Sequence, residues 1–414
     1  MNRNRLWVTD KTRTPHGTTA RVRYFPAVFL LPVLAVGPLK AAGMNSFASV
    51  DLTVASMLVI LVAGMWSLVT RGFPQIVWSW PLVLMIIILA ASSLWAPSST
   101  YAQTKLVLLV ALTFPAALAV LLLIRTGAEL HGYLRMWIFA GVILVMVAWV
   151  TPRNTNLSGR LGIDDNTLGL AYLAGAALVL VIAEAFLGSM SKWVALSLAT
   201  LLSFSLVSVG SRGPVVAALV SMLFLFVVAP GGRQKRWLVI PLGLLLIMTV
   251  VLASDVAVQR LLVLDGATRT ALRAEAQRIW LSNPIAGVGF GGFETLNPTF
   301  RYPHNVFSEL TAEAGLLGLT AFILVLGVLA RRYLRYRTSL LASLSGSLAL
   351  FVIVGQQFSS DLTNRIFWLG LIPLLLLPVA LSSYQNPDRR TQHREQLNAH
   401  QFPLRGSTKT RRAK

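Results

Sequence analysis

The sequence predicts an all-α, polytopic membrane protein, and three observations lead there. Hydrophobic residues fill 55% of the 414 positions and charged residues only 12%, about half the roughly 25% charged share of a soluble globular domain. Apolar runs long enough to cross a hydrocarbon core about 30 Å thick recur from Phe25 to Leu381. No period-two alternation suggests a barrel, and with no cysteine there is no disulfide framework.

Twelve runs read as transmembrane helices, near residues 25–39, 52–70, 76–96, 105–124, 136–151, 166–187, 193–210, 213–229, 237–254, 311–330, 338–356 and 366–384. The first is interrupted by Pro26, Pro32 and Pro38, and the fifth covers about 16 residues where a span needs roughly 20. Residues 1–24 are a basic, polar tail without a small-residue cleavage site, so no removable signal peptide is expected. Residues 385–414 form a second basic tail. Between the ninth and tenth runs lies the long connection 255–310, which contains Trp280, Phe290, Phe293, Phe300 and a helical stretch. That content predicts a folded cap on one face of the membrane.

The net charge is +21, from 36 Lys and Arg against 15 Asp and Glu. Of the 36 cations, 25 fall in the two tails and in the alternate connections that hold Arg71, Arg125, Arg135, Lys192, Arg233 and Arg331. Basic connections stay cytoplasmic, so both termini are expected there. Lys105 and Arg212 are among the eleven cations assigned to the outer side, and ten of the fifteen acids join them. The basic tails suit topology and attraction to anionic membrane lipid; they imply no nucleic-acid partner.

Four short segments on that outer side carry candidate chemistry. Gly159-Arg160 precedes Asp165 and Asn166, both good N-cap residues for the sixth helix; Arg160 can equally pair with Asp164 or Asp165. Ser211-Arg212-Gly213-Pro214 places an arginine at the start of the eighth helix, with proline where its missing N–H costs nothing. A guanidinium fork beside a helix N-terminus suits a phosphate, although a snorkelling arginine would look the same. In the long connection, Arg269 and Arg273 share one face of a predicted helix while Leu272, Ala276 and Ile279 line another. Gly287-Val288-Gly289-Phe290-Gly291-Gly292 satisfies a dinucleotide fingerprint in letters only, because Pro284 and a helix precede it instead of a strand. It reads instead as a tightly turned or flexible backbone beside the active centre. Finally, Pro303-His304-Asn305 leads into the tenth helix with Glu309 and Glu313. His304 is the one histidine of five on the outer side, a natural acceptor for a hydroxyl proton, or else a helix-capping group. Asn305 would orient the ring or a substrate. One histidine without cysteine partners makes no zinc site, and no metal is expected.

The order of these segments resembles the O-antigen ligase and O-antigen polymerase family. The resemblance rests on Gly159-Arg160, Ser211-Arg212-Gly213, Arg269 ahead of Pro284-Ile285-Ala286-Gly287, Pro303-His304-Asn305 and Glu313-Ala314-Gly315-Leu316-Leu317-Gly318, across residues 150–330. It implies a C-type glycosyltransferase-like fold in a bacterial inner membrane. The implied activity moves a glycan from a polyprenyl-pyrophosphate-linked donor to a glycan or glycolipid acceptor on the outer face, without metal or other cofactor. Arg160, Arg212 and Arg269 would contact the pyrophosphate and His304 would serve the acceptor hydroxyl. Arg273 departs from the pattern, since members often have Trp there; Asn305, Ser211, Asn166 and Glu313 would give support.

Two other readings share the topology. A lipid-linked oligosaccharide flippase would also have about twelve helices, but it calls for ionisable residues deep in the membrane. Deep in predicted helices the sequence offers Glu184, near an end, and Gln356 and Gln357. A peptidoglycan polymerase working on a similar carrier leaves the Ser-Arg-Gly and Pro-His-Asn segments unexplained.

Overall fold

The computed structural model describes residues 25–41, 46–47, 50–73, 80–150, 167–228, 243, 247, 266–297, 299–358 and 361–385. The architecture is an α-helical bundle. Its elements are α1 (Phe25–Val28), α2 (Leu31–Ala41), α3 (Leu52–Arg71), α4 (Trp80–Ser92), α5 (Thr100–Val107), α6 (Phe114–Leu123), α7 (Gly127–Val150), α8 (Thr167–Leu187), α9 (Lys192–Val209), α10 (Arg212–Val228), α11 (Gly266–Ser282), α12 (Phe293–Leu296), α13 (Val306–Tyr336), α14 (Leu340–Gly355) and α15 (Arg365–Gln385). Among the described residues the strand pairing is a two-residue antiparallel ladder, Ser46–Phe47 with Val50–Asp51.

Among the described residues, seven helices are long and apolar enough to cross a membrane, and three more, Trp80–Trp95, Arg212–Val228 and Leu340–Gly355, are apolar but shorter. Apart from residues 243 and 247, the run expected at 237–254 lies outside the described residues, as do residues 1–24 and 386–414. Three expected boundaries move. The fourth run begins at Thr100, where the Ser99 hydroxyl accepts from the Ala102 N–H at 3.0 Å. It continues through a π-helical turn, Leu108–Thr113, into α6. Pro115 sits just beyond that turn, and a widened turn accommodates a residue with no N–H and a bulky ring. The fifth run, expected at 136–151, is the full helix α7. Its first turns carry Glu129, His131 and Arg135, which depress hydropathy without stopping a helix. The tenth run begins at Val306 rather than 311, which shortens the expected loop.

α8 is the central helix: 94% of its spanning window is buried, as expected of a helix apolar on every face. Small residues let neighbours close in. A Cβ on Gly141 would lie 2.5 Å from Ala177 Cβ, and one on Gly175 would lie 2.7 Å from the Phe351 ring, the kind of small-residue contact by which helices pack in lipid. At one end of the bundle Arg71 pairs with Glu129 at 2.8 Å. Arg125 there donates to the Arg71 carbonyl, so two connections that the charge count put on one side do meet. Residues 96–102, 210–213, 266–297, 299–305, 356–358 and 361–364 gather at the other end.

Candidate functional site

The centre of this end is a broken helix. α13 has one non-helical residue, Gly315, at φ 60° and ψ −151°. The four backbone groups that the break frees are taken up by the segment 284–289. Val288 and Gly289 donate to the Ala312 and Glu313 carbonyls at 2.9 and 2.8 Å, while Leu316 and Leu317 donate to Pro284 and Ile285 at 2.9 and 3.2 Å. No side chain fits where these backbones touch: a Cβ on Gly315 would lie 2.3 Å from the Ile285 oxygen, and one on Gly289 would lie 2.4 Å from Ala96 Cα. The glycine-rich stretch is therefore a backbone wedge, tightly turned as expected.

The N-terminal piece of α13 is entered through His304 and Asn305. The Asn305 side-chain oxygen caps the helix by accepting from Ser308 N–H at 3.0 Å, and its amide donates to the Gln357 carbonyl and side-chain oxygen at 3.2 and 3.1 Å. His304 is the one non-glycine residue with positive φ among the described residues, at 55°, a conformation that is uncommon outside glycine. Its half-buried ring lies 4.4 Å from the Tyr302 ring and 6.3 Å from the Phe300 ring, centroid to centroid. Burial pushes the imidazole below its ordinary value, and the nearby Arg269 charge pushes it further down, while Asp361 opposes both. A neutral imidazole is the form able to accept a proton. Burial, with Asp361 and Glu309, also pushes the Tyr302 phenol up to about 12.

The other expected residues are placed unevenly. Arg269 and Arg273 are exposed on α11, whose opposite face buries Leu272, Ala276 and Ile279 against Phe293 and Ala312, as the spacing predicts. Glu275 is not their partner. It pairs with Arg278 at 2.5 Å, and that contact holds its carboxyl below the usual range. Gly210, left-handed at φ 69°, ends α9, and the half-buried Ser211 and Arg212 follow. Gly213 then packs on Phe358, 2.6 Å from where its Cβ would be. The Ser-Arg-Gly turn and His304-Asn305 thus meet across residues 357–358. Arg160 and Asn166 lie outside the described residues.

Glu313 and Glu309 are fully buried, and the Lys105 ammonium lies 2.6 Å from a carboxylate oxygen of each. Its charge also lies 4.6 Å from the Phe290 ring centroid. Lys105, assigned by the charge count to the outer side, is thus held inside a buried ionic cluster, which adds to the few deep polar residues the sequence offers. Asp361, one of the ten acids assigned to the outer side, accepts from the Tyr101 hydroxyl at 3.1 Å. The available signal was a lone lysine inside an apolar run, which by default marks a functional position. Among the described residues no three His, Asp or Glu side chains gather as a metal-ligand set; the positive charge here is guanidinium and ammonium.

Residues 196–323 match the family model described as O-antigen ligase, which supports the resemblance carried by the motifs. The matched stretch takes in Arg212, Arg269, His304 and Glu313. No curated protein matches the chain. The stretch similar to the O-antigen ligase model thus lies within a bundle of apolar helices long enough to make this a membrane protein.

Proposed function

We propose that the protein transfers a glycan from a polyprenyl-pyrophosphate carrier to an acceptor hydroxyl at the outer face of a bacterial cytoplasmic membrane, with inversion and without a metal. The observation that carries this reading is His304: strained, half-buried, and within electrostatic reach of Arg269. The acceptor O–H gives its proton to the His304 imidazole as its oxygen bonds to the anomeric carbon. The bond from that carbon to the diphosphate oxygen breaks on the opposite face, and its electron pair leaves with the lipid diphosphate. Arg212 and Arg269, with Arg160, would balance the charge gathering on the leaving group, since guanidinium forks suit paired phosphate oxygens and fixed charges need no reorganisation during reaction. His304 and Arg269 keep their roles apart: the imidazole serves the acceptor and the guanidinium serves the donor.

A flippase is the second reading, favoured by the buried Lys105, Glu309 and Glu313. Against it, the one ammonium is held between both carboxylates near a helix end, and the two glutamates lie inside the stretch that matches the O-antigen ligase model. The deciding experiment is transfer by purified protein in EDTA, wild type against His304→Ala. Transfer should fall about 100- to 10,000-fold in the variant with donor binding nearly unchanged. Equal activity in the two proteins removes His304 from the chemistry, and dependence on a divalent ion overturns the metal-free mechanism. Release of no polyprenyl pyrophosphate by the wild type favours the flippase.

A further inference from the structure

The break at Gly315 isolates a helical piece, residues 306–314, about 14 Å long at 1.5 Å per residue. So short a helix does not hold itself together in isolation, yet it carries His304 and Asn305 at its start. Its backbone is held at the far end by the wedge, through the Ala312 and Glu313 carbonyls. Its side chains are held from within. Glu309 and Glu313, four apart and on one face, would repel each other without the Lys105 ammonium between them. One Glu309 oxygen also accepts from the Leu362 N–H at 3.1 Å, which fixes the turn that presents Asp361. From the glycine-rich segment, the Phe290 ring centroid lies 4.6 Å from the Lys105 ammonium. Helix α5, the wedge, the broken helix and the 361–364 turn therefore converge on one buried cluster.

We infer that Lys105, Glu309 and Glu313 are positioning residues that orient the His304-Asn305 end of the broken helix and the Asp361 turn relative to the wedge. The inference deepens the transfer reading and rests on it for its catalytic consequence, but its structural part stands by itself. Removing the lysine alone would strand two buried carboxylates, so the informative variant removes all three charges together: Lys105→Met with Glu309→Gln and Glu313→Gln. Amide hydrogen exchange in detergent should rise at least about 10-fold over residues 284–292 and 304–314, while α7 and α8 keep wild-type protection. In the same preparation turnover should fall on the order of 100-fold with the donor KM changed less than about threefold, and Lys105→Arg should recover part of it. A single Glu309→Gln, which leaves a balanced Lys105–Glu313 pair, should loosen residues 304–310 and 361–364 selectively. Unchanged local exchange in the folded triple variant overturns the inference. So does loss of folding in both variants, which would make the cluster a requirement of the whole bundle. If the wild type transfers nothing, the transfer reading fails while the exchange pattern still decides the positioning role.

Discussion

Gly315→Ala is the sharpest test of the broken helix, because its cost can be worked from the geometry. At φ 60° and ψ −151° an L-residue is strained by about 1–3 kcal/mol. The new methyl would also sit 2.3 Å from the Ile285 oxygen and 2.7 Å from the Ala286 nitrogen, so the wedge must withdraw. Withdrawal releases the four backbone hydrogen bonds that seal the break, each contributing about 1 kcal/mol net. A destabilisation of about 4 kcal/mol or more is expected, a large share of the roughly 5–15 kcal/mol that folded proteins possess. The control lies in the same helix: Gly327 has nothing within 4 Å of its would-be Cβ, so Gly327→Ala should be neutral or stabilising by up to about 1 kcal/mol. Equilibrium unfolding of both variants in detergent micelles reads the difference directly. If Gly315→Ala unfolds within about 1 kcal/mol of wild type, the wedge is not a sealed contact and the account of the glycine-rich stretch is wrong.

Replacing Arg212 or Arg269 by Ala should cut transfer about 30- to 1000-fold, corresponding to about 2–4 kcal/mol of lost charge stabilisation. Lys should rescue poorly because a point charge cannot hold two phosphate oxygens as a fork does, and wild-type rates in either alanine variant would exclude a donor role. The pH profile tests the neighbours of His304: a base works when neutral, so activity rises as the imidazole loses its proton. Asp361 holds that event at higher pH, so Asp361→Asn should move the acidic limb of kcat/KM downward, whereas an upward or absent shift contradicts the arrangement. For orientation, a reporter fused after Gln385 should score cytoplasmic and one inserted near Asn297 should score outside. The reverse pair would remove the whole site from the proposed face.

Much of the fold could be read from local pattern. Helix α3, expected at 52–70 and found at Leu52–Arg71, and α8, expected at 166–187 and found at Thr167–Leu187, are visible because hydropathy and helical period are properties of neighbouring residues. Where polar residues begin a helix, as in α7 and α13, the same measure cuts the element short. The buried face of α11 also agrees with expectation, while Arg160 and Asn166 fall outside the described residues.

Composition, period and the order of short motifs were enough to determine a helical membrane protein resembling one glycan-transferring family, and to nominate His304 and a set of arginines as candidates for its chemistry. Only tertiary structure decided that Glu309 and Glu313 share one ammonium with Lys105, 204 residues from Glu309 in the chain. It likewise decided that six glycine-rich residues fill a gap in a helix that begins later in sequence. The physical reason is that a charge inside an apolar run states a cost but not its partner. Desolvation demands that some opposite charge be present, and which one arrives is set by how distant helices pack.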